Sequence, residues 1–194
     1  ASRLVLRLGD HPPLRQALLK VDVDVSGQLA SAPFGSGQRP SLEELSSGQL
    51  TANGDGVRAE VVLAEAVDRL DATTELPLRV RCQGQLRSLI DILGPWVPAS
   101  MRSTRGGFEV AARVDMTGDQ RLQLNALDGQ LTGLGLVIDQ KRYTQELVKL
   151  HFDGRADWPT GDVVIRSLSV AGDAASAAAQ GEWIGGVADV EVAW

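Results

Sequence analysis

Few residues of this chain have the types and spacing that catalysis or metal binding requires. The sequence contains one cysteine, Cys82, and two histidines, His11 and His151. One cysteine excludes an intramolecular disulfide and a multi-cysteine metal site. The strained-turn motif of serine hydrolases, Gly-x-Ser-x-Gly, does not occur. His151 lies between Leu150 and Phe152 in an alternating segment, so we expect it to face solvent.

The remaining polar motifs also have simpler structural explanations. Residues 53–56 (Asn-Gly-Asp-Gly) lack the further carboxylates of a calcium loop and predict a hairpin turn. Asp115, Asp119 and Asp128 each lie beside turn residues, where Asp is common. Cys82 falls among apolar positions, as a small hydrophobic residue does. We therefore predict no catalytic residue, no metal site and no cofactor, and the sequence argues against an enzyme.

Composition excludes one further class of partner. The 194 residues include 19 Lys and Arg against 25 Asp and Glu, a net charge of −6, and the pI is near 4.9. Nucleic-acid binding needs a basic face, so we expect no nucleic-acid partner. No run of 18 apolar residues occurs that would predict a membrane-spanning helix.

The hydrophobic pattern repeats every two residues, which is typical of β-strands. Leu78, Val80 and Cys82 fall on one face of such a strand, and Arg79 and Arg81 on the other. The pattern predicts an all-β, mostly antiparallel fold of roughly ten to twelve strands. Turn-forming residues bound the strands at positions 53–56, 117–119, 128–129, 153–154 and 172–173.

Two segments have helical signals instead. Ser41 and Glu44 fit a capping box, which predicts a helical turn at residues 41–45. Apolar residues at helical spacing in 86–93, followed by Gly-Pro, predict a second short helix. The Ala-rich stretch 174–179 fits either a helical turn or a flat strand of small residues.

The chain has no clear internal boundary, so residues 1–194 are predicted to form a single β-rich segment. It begins at Ala1 and ends within an alternating segment, and we interpret it as a piece of a longer protein. Residues 30–40 are rich in Gly, Ser and Pro and predict a loop. Aliphatic faces opposite charged faces, with few aromatics, predict an elongated curved or cupped sheet. A closed β-sandwich fits the same periodicity.

One aromatic residue stands out. Trp96 lies between two prolines, directly after the predicted second helix. A tryptophan in this position could cover an apolar groove or contact lipid, or it could close one end of the core.

The sequence resembles the AsmA-like superfamily of bacterial envelope proteins, which includes TamB. Residues 78–86 form a strand that ends in Gly-Gln-Leu, residues 88–95 a short helix that ends in Leu-Gly-Pro, and Gly106-Gly107 opens the next strand. This order is similar to the repeated theme of that superfamily and covers about residues 76–138. The segments 21–31 and 145–194 match it more loosely.

The resemblance implies a cupped sheet whose hydrophobic inner face holds phospholipid acyl chains. It also implies a periplasmic or cell-envelope location, with the full-length protein anchored in the inner membrane. The activity implied is phospholipid transport between membranes or outer-membrane assembly, with outer-membrane assembly proteins as further partners of the full-length protein. The residues expected to line the groove are Leu78, Val80, Val110, Val114, Leu134, Leu136, Val148 and Trp96.

Two other functions fit the sequence. A structural or adhesive β-module would act as a spacer or interaction domain and bind no ligand. A hydrolase would need Ser, His and Asp to converge in space. The open edges of a cut sheet also predict an edge-strand dimer of this segment.

Overall fold

A computed structural model describes residues 4–6, 14–16, 19–29, 42–68, 74–93, 105–117, 122–138, 141–157 and 160–194. The fold is all-β, as the alternation predicts, with one short helix in the described part of the chain. The elements are β1 Leu4–Leu6, β2 Leu14–Gln16, β3 Leu19–Leu29, β4 Leu42–Gly54, β5 Val57–Leu63, β6 Val67–Asp68, β7 Glu75–Gln85, α1 Leu86–Leu93, β8 Arg105–Thr117, β9 Leu122–Ile138, β10 Lys141–Asp157, β11 Val163–Ala171, β12 Ser176–Ile184 and β13 Val187–Ala193.

Eleven strands form one antiparallel sheet. Ten of them follow the order β13-β12-β11-β10-β9-β8-β7-β5-β4-β3, and β6 pairs with β4 beside this path. Strands β1 and β2 pair separately, and α1 contacts β2, β7 and β8. The main sheet is open, with β3 and β13 at its two edges. The closed sandwich is therefore wrong, and the extended sheet is the observed architecture.

Two predicted turns are confirmed. The hairpin between β4 and β5 turns at residues 55 and 56, and Gly56 has a φ of +75°, which glycine adopts without strain. Between β11 and β12, the Gly172 N–H donates to the Ala175 carbonyl at 2.8 Å. The small-residue segment that follows is a strand, since β12 begins at Ser176.

The predicted turns at 128–129 and 153–154 are wrong, because β9 and β10 each continue through them for 17 residues. Gly129 pairs with Val110 on one side and Leu150 on the other, so it lies inside the sheet. Asp153 pairs with Ala126, and Gly154 lies in a β-bulge. Glycine within a strand often marks such a bulge or a close approach rather than a turn.

The helical turn predicted at residues 41–45 is also wrong. Strand β4 begins at Leu42, and Glu44 pairs with Gln28 of β3 and with Asp68 of β6. Backbone pairing on both sides outweighs a weak local helical preference. The second helix is confirmed as α1, and its first residue, Leu86, is buried.

The sheet has little enclosed core. Among the described residues, the buried hydrophobic side chains are Val67, Leu86, Phe108 and Phe152, and none of them is below 2% exposed. The chain exposes 13693 Å², whereas a compact monomer of this mass exposes roughly 8,900 Å². The larger exposed area and the small buried core agree with an open sheet whose apolar side chains are accessible to solvent.

A line of β-bulges crosses four consecutive strand pairs at one level of the sheet, from β8/β9 to β11/β12. The extra residues are Asn125 in β9, Gly154 and Arg155 in β10 and Arg166 in β11. Each bulge bends its strand and increases the local twist. Because the bulges are aligned, the sheet bends along this line, which we call the bulge line.

Polar side chains hold the bulge line together. Asn125 donates to Asp115 Oδ2 at 2.6 Å. Arg166 donates from Nη2 to Asp153 Oδ1 at 2.6 Å and from Nε to Oδ2 at 3.1 Å. This bidentate geometry fixes the orientation of both side chains.

Asp153→Asn is expected to lower the free energy of unfolding at neutral pH by a small amount, since the ion pair is exposed. The hydrogen bonds from Arg166 hold the pKa of Asp153 below its ordinary value of about 3.9. A lowered pKa stabilises the fold above the ordinary pKa, and this stabilisation is lost as pH falls through the folded-state pKa. Urea unfolding of both proteins should show their difference closing in acid. A difference that does not change with pH would contradict this role.

Residues 30–40, the predicted turn at 118 and 119, and Trp96 lie outside the described residues.

Candidate functional site

The register of the sheet aligns apolar side chains in rows across the strands. Directly paired residues in an antiparallel sheet lie on the same face. Followed from strand to strand, the pairs of Val80 form a row that contains one apolar residue from each of the ten strands. This Val80 row is Val23, Leu50, Val61, Val80, Ala112, Leu127, Phe152, Leu168, Ala179 and Val192.

Neighbouring rows on the same face are also apolar. The Cys82 row contains Val21, Ala52, Ala59, Cys82, Val110, Gly129, Leu150, Val170 and Ala177. The Leu78 row contains Leu63, Leu78, Val114, Leu124, Ala156, Val163, Trp183 and Ala188. The Phe108 row contains Val57, Gly84, Phe108, Leu131 and Val148. We call these four rows together the apolar face.

The apolar face is accessible to solvent. Val23 and Val192, at the two ends of the Val80 row, are 63% and 55% exposed. In the middle of this row, Val80, Ala112 and Leu127 are half-buried. Exposed apolar surfaces of this extent are typical of sites that interact with proteins, membranes or ligands.

Five of the eight predicted groove residues lie on the apolar face. Leu78 and Val114 pair directly, and Val80, Val110 and Val148 lie in three different rows. The structure therefore places these five on one continuous surface.

Leu134 does not join these rows. Leu134 pairs with Gln145, one residue after Gly133, whose φ is +59°. The register against β8 shifts at this point, between Arg105 and Gly107, so the regular alternation is interrupted. Leu136 pairs with Tyr143, and its side chain lies outside the described part of the structure, as does Trp96.

Sequence reasoning missed residues that lie centrally on this face. Leu127 was not predicted to lie in a strand, because a turn was predicted at 128–129. In the structure it lies in β9, directly opposite Phe152 of β10. Trp183 pairs with Val163 and is 49% exposed, so the apolar face carries a tryptophan on β12. The sequence signal that places Trp183 on this face is the alternation itself, since Ala177, Ala179, Gly181 and Trp183 follow one another at intervals of two residues.

The pKa of the Cys82 thiol is raised by burial. A raised pKa disfavours the reactive thiolate. Cys82 pairs with Ala59 and Val110 and so fills the apolar face as a small hydrophobic residue.

The opposite face of the sheet is charged. Arg81, Ala111, Asp128 and His151 follow one another in register. His151 Nδ1 lies 2.7 Å from Asp128 Oδ1, and both side chains are exposed, which agrees with the outward orientation predicted for the histidine. A hollow of about 610 Å³ on this face is lined by both acidic and basic side chains, including Arg79, Arg113 and Asp115. We call this surface the charged face.

The parts of the chain that the structure describes contain no group of three or more His, Cys, Asp or Glu side chains able to hold a metal ion. Within those parts, no helix has the length and hydrophobicity needed to cross a bilayer.

No family model, curated protein or solved structure matches this chain. The case for a function therefore depends on the geometry of the two faces.

Proposed function

We propose that the apolar face holds the acyl chains of phospholipids. In this proposal the chain is a segment of an AsmA-like envelope protein that serves phospholipid transport between membranes or outer-membrane assembly. The observation that carries the proposal is the Val80 row, which is apolar on all ten strands. Acyl chains need continuous apolar contact, and this row supplies it without a polar interruption.

The dimensions of the sheet suit several acyl chains. Ten strands give nine spacings, or about 43 Å across the sheet. An acyl chain fills about half of a bilayer core and is therefore about 15 Å long. The apolar face can hold chains that lie side by side or end to end.

The composition of the apolar face also favours acyl chains. Its rows consist mainly of Val, Leu and Ala, with aromatic rings at Phe108, Phe152 and Trp183. Aliphatic side chains give a smooth surface with little hydrogen-bonding specificity, which suits a chain that must slide. The charged face stays in water, so one sheet can present lipid on one side and remain solvated on the other.

Trp183 provides a direct test of where lipid binds. With Trp96, Trp158 and Trp194 changed to Phe, Trp183 is the sole tryptophan and lies on the apolar face. Phospholipid brominated in its acyl chains is expected to quench its fluorescence strongly, because bromine quenches at short range.

Ile184 offers a matched control. It is 48% exposed, close to the 49% of Trp183, and it is the next residue in the strand, so it faces the opposite side. A Trp183→Phe, Ile184→Trp protein in the same background should be quenched weakly. Equal quenching of the two reporters, or none of either, would contradict lipid binding on the apolar face. Native mass spectrometry of the purified protein should show bound phospholipid.

A further inference from the structure

The charged face brings an aspartate, a histidine and a serine into one row. Asp128 of β9 pairs with His151 of β10, and His151 pairs on its other side with Ser169 of β11. Directly paired residues lie on the same face, with their Cβ atoms about 4.5–5.5 Å apart. The three residue types of a serine hydrolase are therefore neighbours, with the histidine in the middle. They come from three different strands, which is why the sequence by itself predicted no catalytic residue.

The orientation of the histidine ring suits a general base. Its Nδ1 lies 2.7 Å from Asp128 Oδ1. An ionised carboxylate only accepts hydrogen bonds, so Nδ1 carries the proton and, in the neutral ring, Nε2 is the free acceptor. Because Nδ1 is turned towards β9, Nε2 lies on the β11 side of the ring, where Ser169 is the paired residue. The aspartate thus fixes both the tautomer and the direction in which the base points.

Ser169 is available as the nucleophile. It is partly buried, and no side-chain hydrogen bond among the described residues engages its hydroxyl. A serine hydroxyl becomes nucleophilic when an adjacent base accepts its proton, and in free enzymes this hydrogen bond is often long and tightens with substrate. Ser167, two residues earlier on β11, pairs with Asp153 instead of the histidine. The chain therefore contains a matched serine on the same face that lacks the base.

An open hollow of about 470 Å³ gives a substrate access to Asp128, His151 and Ser169, which all line it. Lys149 also lines this hollow. It lies two residues before His151 and so on the same face of β10, and it forms no ion pair with any described residue. Its ammonium group can therefore stabilise negative charge that develops on a carbonyl oxygen under attack.

We propose that Ser169, His151 and Asp128 hydrolyse small, water-soluble carboxylic esters on the charged face. His151 Nε2 takes the proton of the Ser169 hydroxyl as its oxygen attacks the ester carbonyl, and the Lys149 ammonium stabilises the oxyanion. The C–O bond to the leaving alcohol then breaks, and the imidazolium gives its proton to that alcohol. Water, deprotonated in turn by Nε2, releases the carboxylic acid and restores the serine.

The position of the hollow determines the substrate class. The hollow lies on the charged face, so the sheet itself separates it from acyl chains held on the apolar face. Ala111 and Ala171 line it and leave room for a small acyl group. The hollow is open to water, so the rate enhancement expected is that of a positioned base, roughly 10²–10⁴-fold. Esters with good leaving groups are therefore the substrates that show it best.

The test measures hydrolysis of p-nitrophenyl acetate by the purified protein and by variants whose folding is checked by circular dichroism. Ser169→Ala is expected to lower kcat/KM at least about tenfold, because the acyl-serine can no longer form. Asp128→Asn should lower it as well, since an amide can donate to Nδ1 and move the ring proton to Nε2. The matched Ser167→Ala protein should keep the wild-type rate.

Covalent labelling separates a serine nucleophile from direct attack by the histidine. A fluorophosphonate loses fluoride to the nucleophilic hydroxyl and leaves a phosphonylated serine, which tandem mass spectrometry locates. The label is expected on Ser169 rather than Ser167 and should be lost in His151→Gln. Hydrolysis unchanged by Ser169→Ala, or labelling that is absent or equal at the two serines, would each overturn the proposal. The lipid proposal would be unaffected, because its readout is quenching on the apolar face.

Discussion

Ala112→Asp is expected to lower phospholipid binding at least tenfold, roughly the effect of 1.4 kcal/mol, while the sheet stays folded. Ala112 lies in the Val80 row between Val80 and Leu127. A carboxylate here would meet acyl chains without a hydrogen-bonding partner, and burying an unpaired charge is costly. In the free protein the carboxylate remains in water, because the apolar face is open. Binding is measured as phospholipid retained per protein in native mass spectrometry.

The neighbouring residue supplies a control with the same chemistry. Ala111 lies on the charged face between Arg81 and Asp128, so Ala111→Asp adds the same carboxylate to the same strand on the other side. It should leave lipid binding intact and change stability by no more than about 0.5 kcal/mol. Equal loss of lipid in both variants would contradict the proposed binding face. If Ala112→Asp unfolded the protein while Ala111→Asp did not, Ala112 would belong to a closed core instead.

The sequence predicted the two faces of the sheet because the side-chain period of a strand is fixed by its backbone. Leu78 and Val80 face away from Arg79 and Arg81, as their alternation required. Alternation cannot show which strands become neighbours. The continuity of the Val80 row could therefore be recognised only from the strand register in the structure. Alternation alone also fits a sandwich, which buries faces with the same pattern. The elongated sheet predicted from aliphatic faces with few aromatics is confirmed.

The errors came from residues that have two structural roles. Asp-Gly is a common hairpin signal, but Gly129 and Gly154 lie inside strands, where long-range pairing decided the structure. Leu134 was assigned to the groove because apolar residues alternate along this segment. The positive φ of Gly133 interrupts the regular alternation of side chains in β9. Sequence reasoning therefore predicted most of the fold, and five of the eight predicted groove residues lie together on the apolar face. It could not locate bulges, which depend on the neighbouring strand.

Gly154→Ala is expected to lower the free energy of unfolding by about 1–3 kcal/mol, the cost of overpacking a filled site. Gly154 is buried in the bulge line beneath the ring of Phe152. An added Cβ would clash with the Val164 carbonyl oxygen and lie 2.8 Å from Phe152 Cζ. The carbonyl belongs to the sheet backbone and cannot move freely, so the bulge itself must shift. Urea unfolding followed by circular dichroism measures the loss.

Gly129→Ala is the matched control within the same sheet. A Cβ there would lie 3.6 Å from Leu150 Cβ and 3.6 Å from Val110 Cγ2, which are ordinary contacts. This variant should be as stable as the wild type or more stable by about 0.4–1 kcal/mol, because alanine restricts the unfolded chain. Equal stability of the two variants would show that the bulge line is adaptable and that Gly154 is not needed for it. A loss confined to Gly154→Ala would instead identify the bend as a fixed feature, against which Phe152 and the central part of the apolar face are positioned.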